Sequence, residues 1–269
     1  MLENTSSNSI ADDENVLVRI SQKHLSILEQ CPYYFQQIYL EKIPTIVPHE
    51  LQIRAEWGKR FHLLMQQREL GLDIEPLLQE DLEMKSSIEA LLQVTKNIFD
   101  RKAKVIREAE HSRIFSLNGY LLTVVYDLLI LASNTAEIID WKTYLQPENT
   151  QKLVNNWQNR LYLYTLAETS NYEPEQISFT YWFVKLPQEP QKLTFQYNSQ
   201  MHRQNHRDLT DLLGKLDRCL QDYLDRNIPF PRCANCRKNC PIDRNSVATV
   251  GEIDTCLTID DIAEICLDR

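Results

Sequence analysis

The chain has 269 residues, 43% of them hydrophobic, enough for a globular protein with a sizeable core. No apolar stretch approaches the roughly 20 residues that span a bilayer. The start, Met1-Leu2-Glu3-Asn4-Thr5, lacks the basic and apolar regions of a signal peptide, so a cytoplasmic protein without a membrane partner is expected.

The net charge of −9 argues superficially against a polyanionic partner, but its distribution removes most of that objection. Glu3, Asp12, Asp13 and Glu14 crowd one end, and seven acids against Arg244 and Arg269 crowd the other, leaving the body between them neutral in sum. Residues 1–17 and 243–269 therefore read as acidic tails around one domain at 18–242. Basic clusters remain at Arg101-Lys102-Ala103-Lys104 with Arg107, and at His202-Arg203 with His206-Arg207; each reads as a solvated helix face or a phosphate-tracking strip.

In chain order, Ser21 suits the N-cap of a short helix through Gln30, and Pro32 the first turn of a second helix carrying Tyr33, Tyr34, Phe35 and Tyr39. A long helical pattern runs from about Leu51 to Leu70, ending at Gly71, and another from about Glu75 to Arg101. Strands follow at Val105 to Leu117, Leu121 to Leu131 and Ala136 to Lys142, with turns at Asn118-Gly119 and Ser133-Asn134. Helical spacing resumes from Pro147 to about Ser170. A strand at Ile177 to Val184, a short edge strand at Leu193 to Tyr197 and a helix from about Gln200 to Arg226 complete an α/β core with helical additions.

The chemistry concentrates at Asp140-Trp141-Lys142. An acid and a lysine separated by one residue end an apolar strand and share a sheet face. If the preceding turn is centred between Ser133 and Asn134, Asp127 falls opposite Asp140. Like charges there destabilise a sheet unless something neutralises them, and a divalent cation beside Lys142 is the simplest remedy. Two solvated acids would read the same way in isolation, but the apolar flanks point to strands covered on both faces.

Three further groups stand out. Gly58 and His62 are four apart on one helix face, so the missing side chain lets that face approach the sheet while His62 projects from it. Gln158 and Tyr162, also four apart, follow on the helix after the Asp-Lys strand. Cys233, Cys236 and Cys240, bracketed by prolines, form a run too short for a core. Three thiolates need a fourth ligand, and Cys31, also followed by proline, is the candidate. Seven cysteines in a cytosolic chain point to metal rather than disulfides, with zinc and a metal-free thiol cluster as alternatives.

In this order, Leu25-x-x-Leu28-x-x-Cys31-Pro32, Gly58-x-x-x-His62, Asp127, Asp140-x-Lys142, Gln158-x-x-x-Tyr162 and the three terminal cysteines resemble the PD-(D/E)XK nuclease superfamily. Within it the set is similar to the RecB-like branch, with its CRISPR-associated and AddB-type iron-sulfur exonucleases. The resemblance implies a restriction-endonuclease-like α/β fold, a mixed sheet flanked by helices, with N-terminal helical additions and a C-terminal cysteine clasp. It implies that Asp127, Asp140, His62 and the Trp141 carbonyl hold Mg²⁺ or Mn²⁺, and that Lys142 orients the attacking water. Gln158 and Tyr162 would position nucleic acid or the metal site, and Cys31, Cys233, Cys236 and Cys240 would hold a four-iron four-sulfur cluster. Glu110 falls near an acidic position of the family. Two departures stand: only three residues separate Cys236 from Cys240, and Thr123-Val124-Val125-Tyr126 replaces the glycine usual before the first acid. The implied function is a DNA nuclease acting on single strands or ends, in repair, recombination or CRISPR adaptation. The alternative is a catalytically inactive, nuclease-fold DNA-binding or interaction subunit.

Overall fold

A computed structural model describes residues 18–44, 48–96, 105–143, 150–185 and 190–233. Both acidic tails, the basic run 101–104, Cys236 and Cys240 lie outside the described residues.

Strand β3 (Tyr120–Leu131) is the centre of a six-stranded mixed sheet. One edge of β3 is taken by β2 (Ile106–Leu117), antiparallel through a tight turn at Asn118 and Gly119. Both turn residues have positive φ, 49° and 80°, as a hairpin matched to right-handed strand twist requires. The other edge of β3 is shared end to end. Strand β1 (Val18–Ile20) runs parallel to Tyr120, Leu121 and Leu122, and β4 (Ala136–Lys142) pairs antiparallel with Leu128 to Leu131. Strand β5 (Ile177–Phe183) lies parallel to the whole of β4, and β6 (Gln191–Gln196) closes the edge.

Helices cover both faces. Helices α1 (Gln22–Gln30), α2 (Pro32–Phe35, continuing as a π-turn over Gln36–Leu40), α7 (Trp157–Glu168) and α8 (Ser199–Arg226) bury a larger core against Tyr126, Leu129, Ile138 and Phe179. On the opposite face α3 (His49–Glu69), α4 (Glu75–Leu78) and α5 (Leu82–Val94) bury Phe61, Met65, Leu78, Met84 and Ile88 against Leu128, Ile139 and Trp141. Adjacent Ile138 and Ile139 thus enter opposite cores, which explains why β4 is apolar along most of its length. The architecture is the expected mixed sheet flanked by helices.

Two long helical expectations are divided by caps. The pattern from Glu75 breaks where Asp81 accepts the Met84 N–H at 2.9 Å and starts α5. The pattern toward Ser170 breaks between α6 (Thr150–Asn155) and α7, where the Asn156 side chain accepts the Gln158 N–H at 2.9 Å. In both cases a side chain that caps well ends one helix by starting the next.

One irregularity in β3 bears on the site. Tyr120, Leu122, Val124 and Tyr126 enter the larger core, but beyond Asp127 it is Leu129 that does so, while Leu128 turns to the smaller one. A regular strand alternates every second residue, so the phase slips by one at Asp127. Across the hairpin the pairing passes from Ala109↔Leu128 to His111↔Tyr126, and Glu110 between them has φ 49°. The ladder is disturbed on both strands at one level.

Candidate functional site

The site lies where β3 and β4 part. Their register runs from Leu131↔Ala136 to Leu128↔Ile139, as the turn at Ser133-Asn134 dictates, and Asp127 and Asp140 come next. Instead of continuing the ladder, the strands fork. Asp127 Oδ2 accepts the Trp141 N–H at 2.7 Å, and His62 Nε2 lies 3.1 Å from the Trp141 carbonyl oxygen. Two side chains thus answer main-chain groups facing the fork, which burial would otherwise leave costly.

His62 comes from α3, held to the sheet by Phe61, which is fully buried in the smaller core; Gly58 is buried one turn earlier. Its Nδ1 is 3.3 Å from Asp127 Oδ1. Both ring nitrogens therefore face acceptors, and a neutral imidazole carries only one N–H. A proton or a cation is needed to satisfy the second contact. Glu110 completes the group: one ligand atom each from His62, Glu110 and Asp127 lie within 4.8 Å of one another. Two carboxylates, an imidazole and a nearby carbonyl form a donor set suited to a hard divalent ion, so the residues fit a metal.

Asp140 and Lys142 occupy the other half of the fork, almost wholly buried at 3% and 5% exposure. Lys142 Nζ is 2.7 Å from Asp140 Oδ1 and donates to Gln158 Oε1 at 2.7 Å, while Gln158 Nε2 donates to Asp140 Oδ2 at 2.6 Å. The three close a ring that fixes the amide's orientation, since its oxygen must face the ammonium and its nitrogen the carboxylate. Burial pushes the Asp140 carboxyl up, to about 6; the Lys142 ammonium opposes this and the Asp127 carboxylate adds to it.

The expected pairing of Gln158 with Tyr162 at the site divides. Gln158, in the first turn of α7, reaches the acid and lysine. Tyr162 is buried in the larger core, its ring edge-on to Tyr126 at 5.4 Å and its hydroxyl accepting from Gln22 Nε2 at 3.3 Å. Cys31 is buried at the start of α2, where its Sγ accepts the Tyr34 N–H at 3.4 Å. Cys233 packs against the same larger core. The segment leading to Cys233 is pinned to α2: Phe230 stacks on Phe35 at 6.3 Å and donates its N–H to Gln36 Oε1 at 2.6 Å. The Arg232 guanidinium lies 4.2 Å over the Tyr33 ring.

A mixed sheet with helices on both faces and acids, histidine and lysine gathered at one strand fork is the restriction-endonuclease-like α/β arrangement. The chain matches the sequence profile of the PD-(D/E)XK nuclease superfamily over residues 19–244, and it belongs to that superfamily. Its nucleases use divalent metals. Among solved structures, the chain is similar to a candidate exonuclease from Eubacterium rectale, 12% identical, with a TM-score of 0.50 over 89% of this chain and 94% of the other. That likeness concerns the fold. A second structure, SSO0001, is 13% identical over 77% of this chain and 79% of its own, with a TM-score of 0.34, and adds nothing to the assignment. No curated protein matches the sequence. Among the described residues no helix is long and apolar enough to cross a membrane.

Proposed function

We propose that the protein is a divalent-metal-dependent DNA nuclease of the RecB-like branch. It would act as an exonuclease on single strands or DNA ends in repair, recombination or CRISPR adaptation, within a cytoplasmic complex. The observation that carries this reading is the convergence of His62, Glu110 and Asp127 beside the closed ring of Asp140, Lys142 and Gln158. Without a cation, three carboxylates against one ammonium would repel a phosphate, so the site needs a metal to receive its substrate.

In this reading His62, Asp127, Asp140 and the Trp141 carbonyl hold Mg²⁺ or Mn²⁺, with Glu110 within reach. When bound, the ion supplies Lewis-acid polarisation of the scissile phosphate and the attacking water. Lys142 orients that water and stabilises negative charge developing on the phosphate oxygens, and Gln158 holds Lys142 and Asp140 in place. Tyr162 positions the site indirectly, through the packing of α7 against β3.

The domain spans residues 18–242 between acidic tails at 1–17 and 243–269. Cys31, Cys233, Cys236 and Cys240 hold a four-iron four-sulfur cluster, with zinc as the alternative. Supporting this reading, Cys31 is buried in the larger core and Cys233 packs against the same core.

The test is cleavage of end-labelled single- and double-stranded DNA in Mn²⁺, run beside a folded Lys142→Ala variant. Wild type should degrade DNA and the variant should not. Equal activity in the variant would refute the mechanism, and binding without cleavage under any divalent metal would select the non-catalytic subunit. Iron and acid-labile sulfide in the purified protein would support the cluster; zinc alone would replace it.

A further inference from the structure

We propose that Tyr181 is a positioning residue for Lys142, its ring forming the floor on which the ammonium rests. The inference deepens the nuclease reading and rests on it for the purpose of the lysine. Lys142 Nζ lies 5.0 Å from the centroid of the Tyr181 ring, within the range of a cation–π contact. A lysine head on four flexible carbons must lose rotamer freedom before it can be aimed, and a compact ammonium has no planar shape to orient it. Asp140 and Gln158 hold it by hydrogen bonds in two directions, and the ring face restrains it in a third.

The floor is itself rigid. Tyr181 is fully buried, 4.6 Å from the Phe179 ring and edge-on to Phe195 at 5.9 Å. On the parallel β4–β5 pair it is the register partner of Asp140, so one strand pairing places both the carboxylate and the ring around the lysine. Their restraints differ in kind. The carboxylate and the amide can be drawn away from the lysine by an arriving cation, because each offers an oxygen that the cation would attract. The ring face offers a quadrupole with no oxygen to ligate a metal, so its hold on the ammonium persists when the hydrogen bonds are redistributed during binding.

The test compares Tyr181→Phe, which keeps the ring, with Tyr181→Leu, which removes it. Tyr181→Met repeats the removal with a longer side chain, so that a folding failure of the leucine variant does not end the experiment. In protein labelled with ¹³C-lysine, the ε-methylene of Lys142, assigned by its loss in Lys142→Ala, should be shifted upfield by the ring current. That shift should survive in Tyr181→Phe and vanish in the leucine and methionine variants. Removing the ring should lower kcat about 10- to 30-fold with little change in KM or Mn²⁺ affinity, and the phenylalanine variant should stay within about threefold of wild type. An ε-methylene at its ordinary position in wild type, or an equal loss of kcat in the phenylalanine and leucine variants, overturns the inference. A wild type that shows the shift but cleaves nothing overturns the nuclease reading, and with it the catalytic purpose of the contact, while leaving the contact established.

Discussion

His24 gives the sharpest quantitative test of the fold. It is 4% exposed, its ring lies 4.3 Å from Tyr39, and its Nδ1 receives the Ser21 N–H at 3.1 Å in the cap of α1. Burial, with a smaller contribution from the Lys23 charge, lowers its pKa from 6.5 to about 4. The unfolded chain therefore takes up a proton near pH 6.5 that the folded protein refuses until about pH 4. The stability His24 contributes is complete above the unfolded value and is lost as pH falls through this window. Linkage gives a total of about 3 kcal/mol, of which about 2 kcal/mol is gone at pH 5.0 relative to pH 7.5. Urea denaturation at the two pH values, on wild type and His24→Gln, measures it. The raised Asp140 shifts stability in the opposite sense, but it is common to both proteins and cancels in the comparison. If the two proteins lose equal stability on acidification, His24 is not held neutral by burial and the account of this helix cap is wrong.

Asp127→Asn keeps an acceptor for the Trp141 N–H but removes the charge facing His62. It should hold thermal stability within about 1 kcal/mol while cutting Mn²⁺-dependent cleavage at least 100-fold; Asp127→Ala should lose stability as well, by about 1–3 kcal/mol, as read by thermal melts. Glu110→Gln should raise the melting temperature in EDTA, by relieving repulsion with Asp127, and shrink the stabilisation that added Mn²⁺ produces. Asn156→Ala removes the cap of α7 and should cost about 1 kcal/mol in urea denaturation. It should also slow cleavage, because Gln158 sits in that first turn, without weakening Mn²⁺ binding by calorimetry.

What was legible in the sequence was local. The two turns fixed the β2–β3–β4 registers, and strand alternation then put Asp140 and Lys142 on one face, because hairpin pairing follows from turn position alone. The slip at Asp127 was not legible: it occurs where β3 passes between β1 and β4 on a shared edge, and β1 is distant in sequence. The role of Glu110 was half visible, since counting back across Asn118-Gly119 places it at the level of Asp127. Gln158 and Tyr162 share a helical face by spacing, yet α7 begins at the site and runs into the core, so Gln158 closes the ring while Tyr162 is buried beside Tyr126 and Gln22. Asp81 and Asn156 are residue types that cap helices, and weighing them against continuous apolar spacing would have divided both long helices. Tyr181 beneath Lys142 depended on a parallel pairing that no local signal specifies.

Trp141 joins two parts of the molecule that chemistry alone would treat as separate. Its main chain meets Asp127 and His62, while its indole is buried in the smaller core among the side chains of α3 and α5. The peptide group of Trp141 is thus one end of a rigid lever whose other end is packed hydrocarbon. A change of volume in that core, at Ile88 or Met84 for instance, would move the backbone between the two acids without altering any residue of the site. Metal affinity should therefore respond to mutations in the α3–α5 layer, and variants selected there for stability alone would be expected to retune the chemistry at the fork.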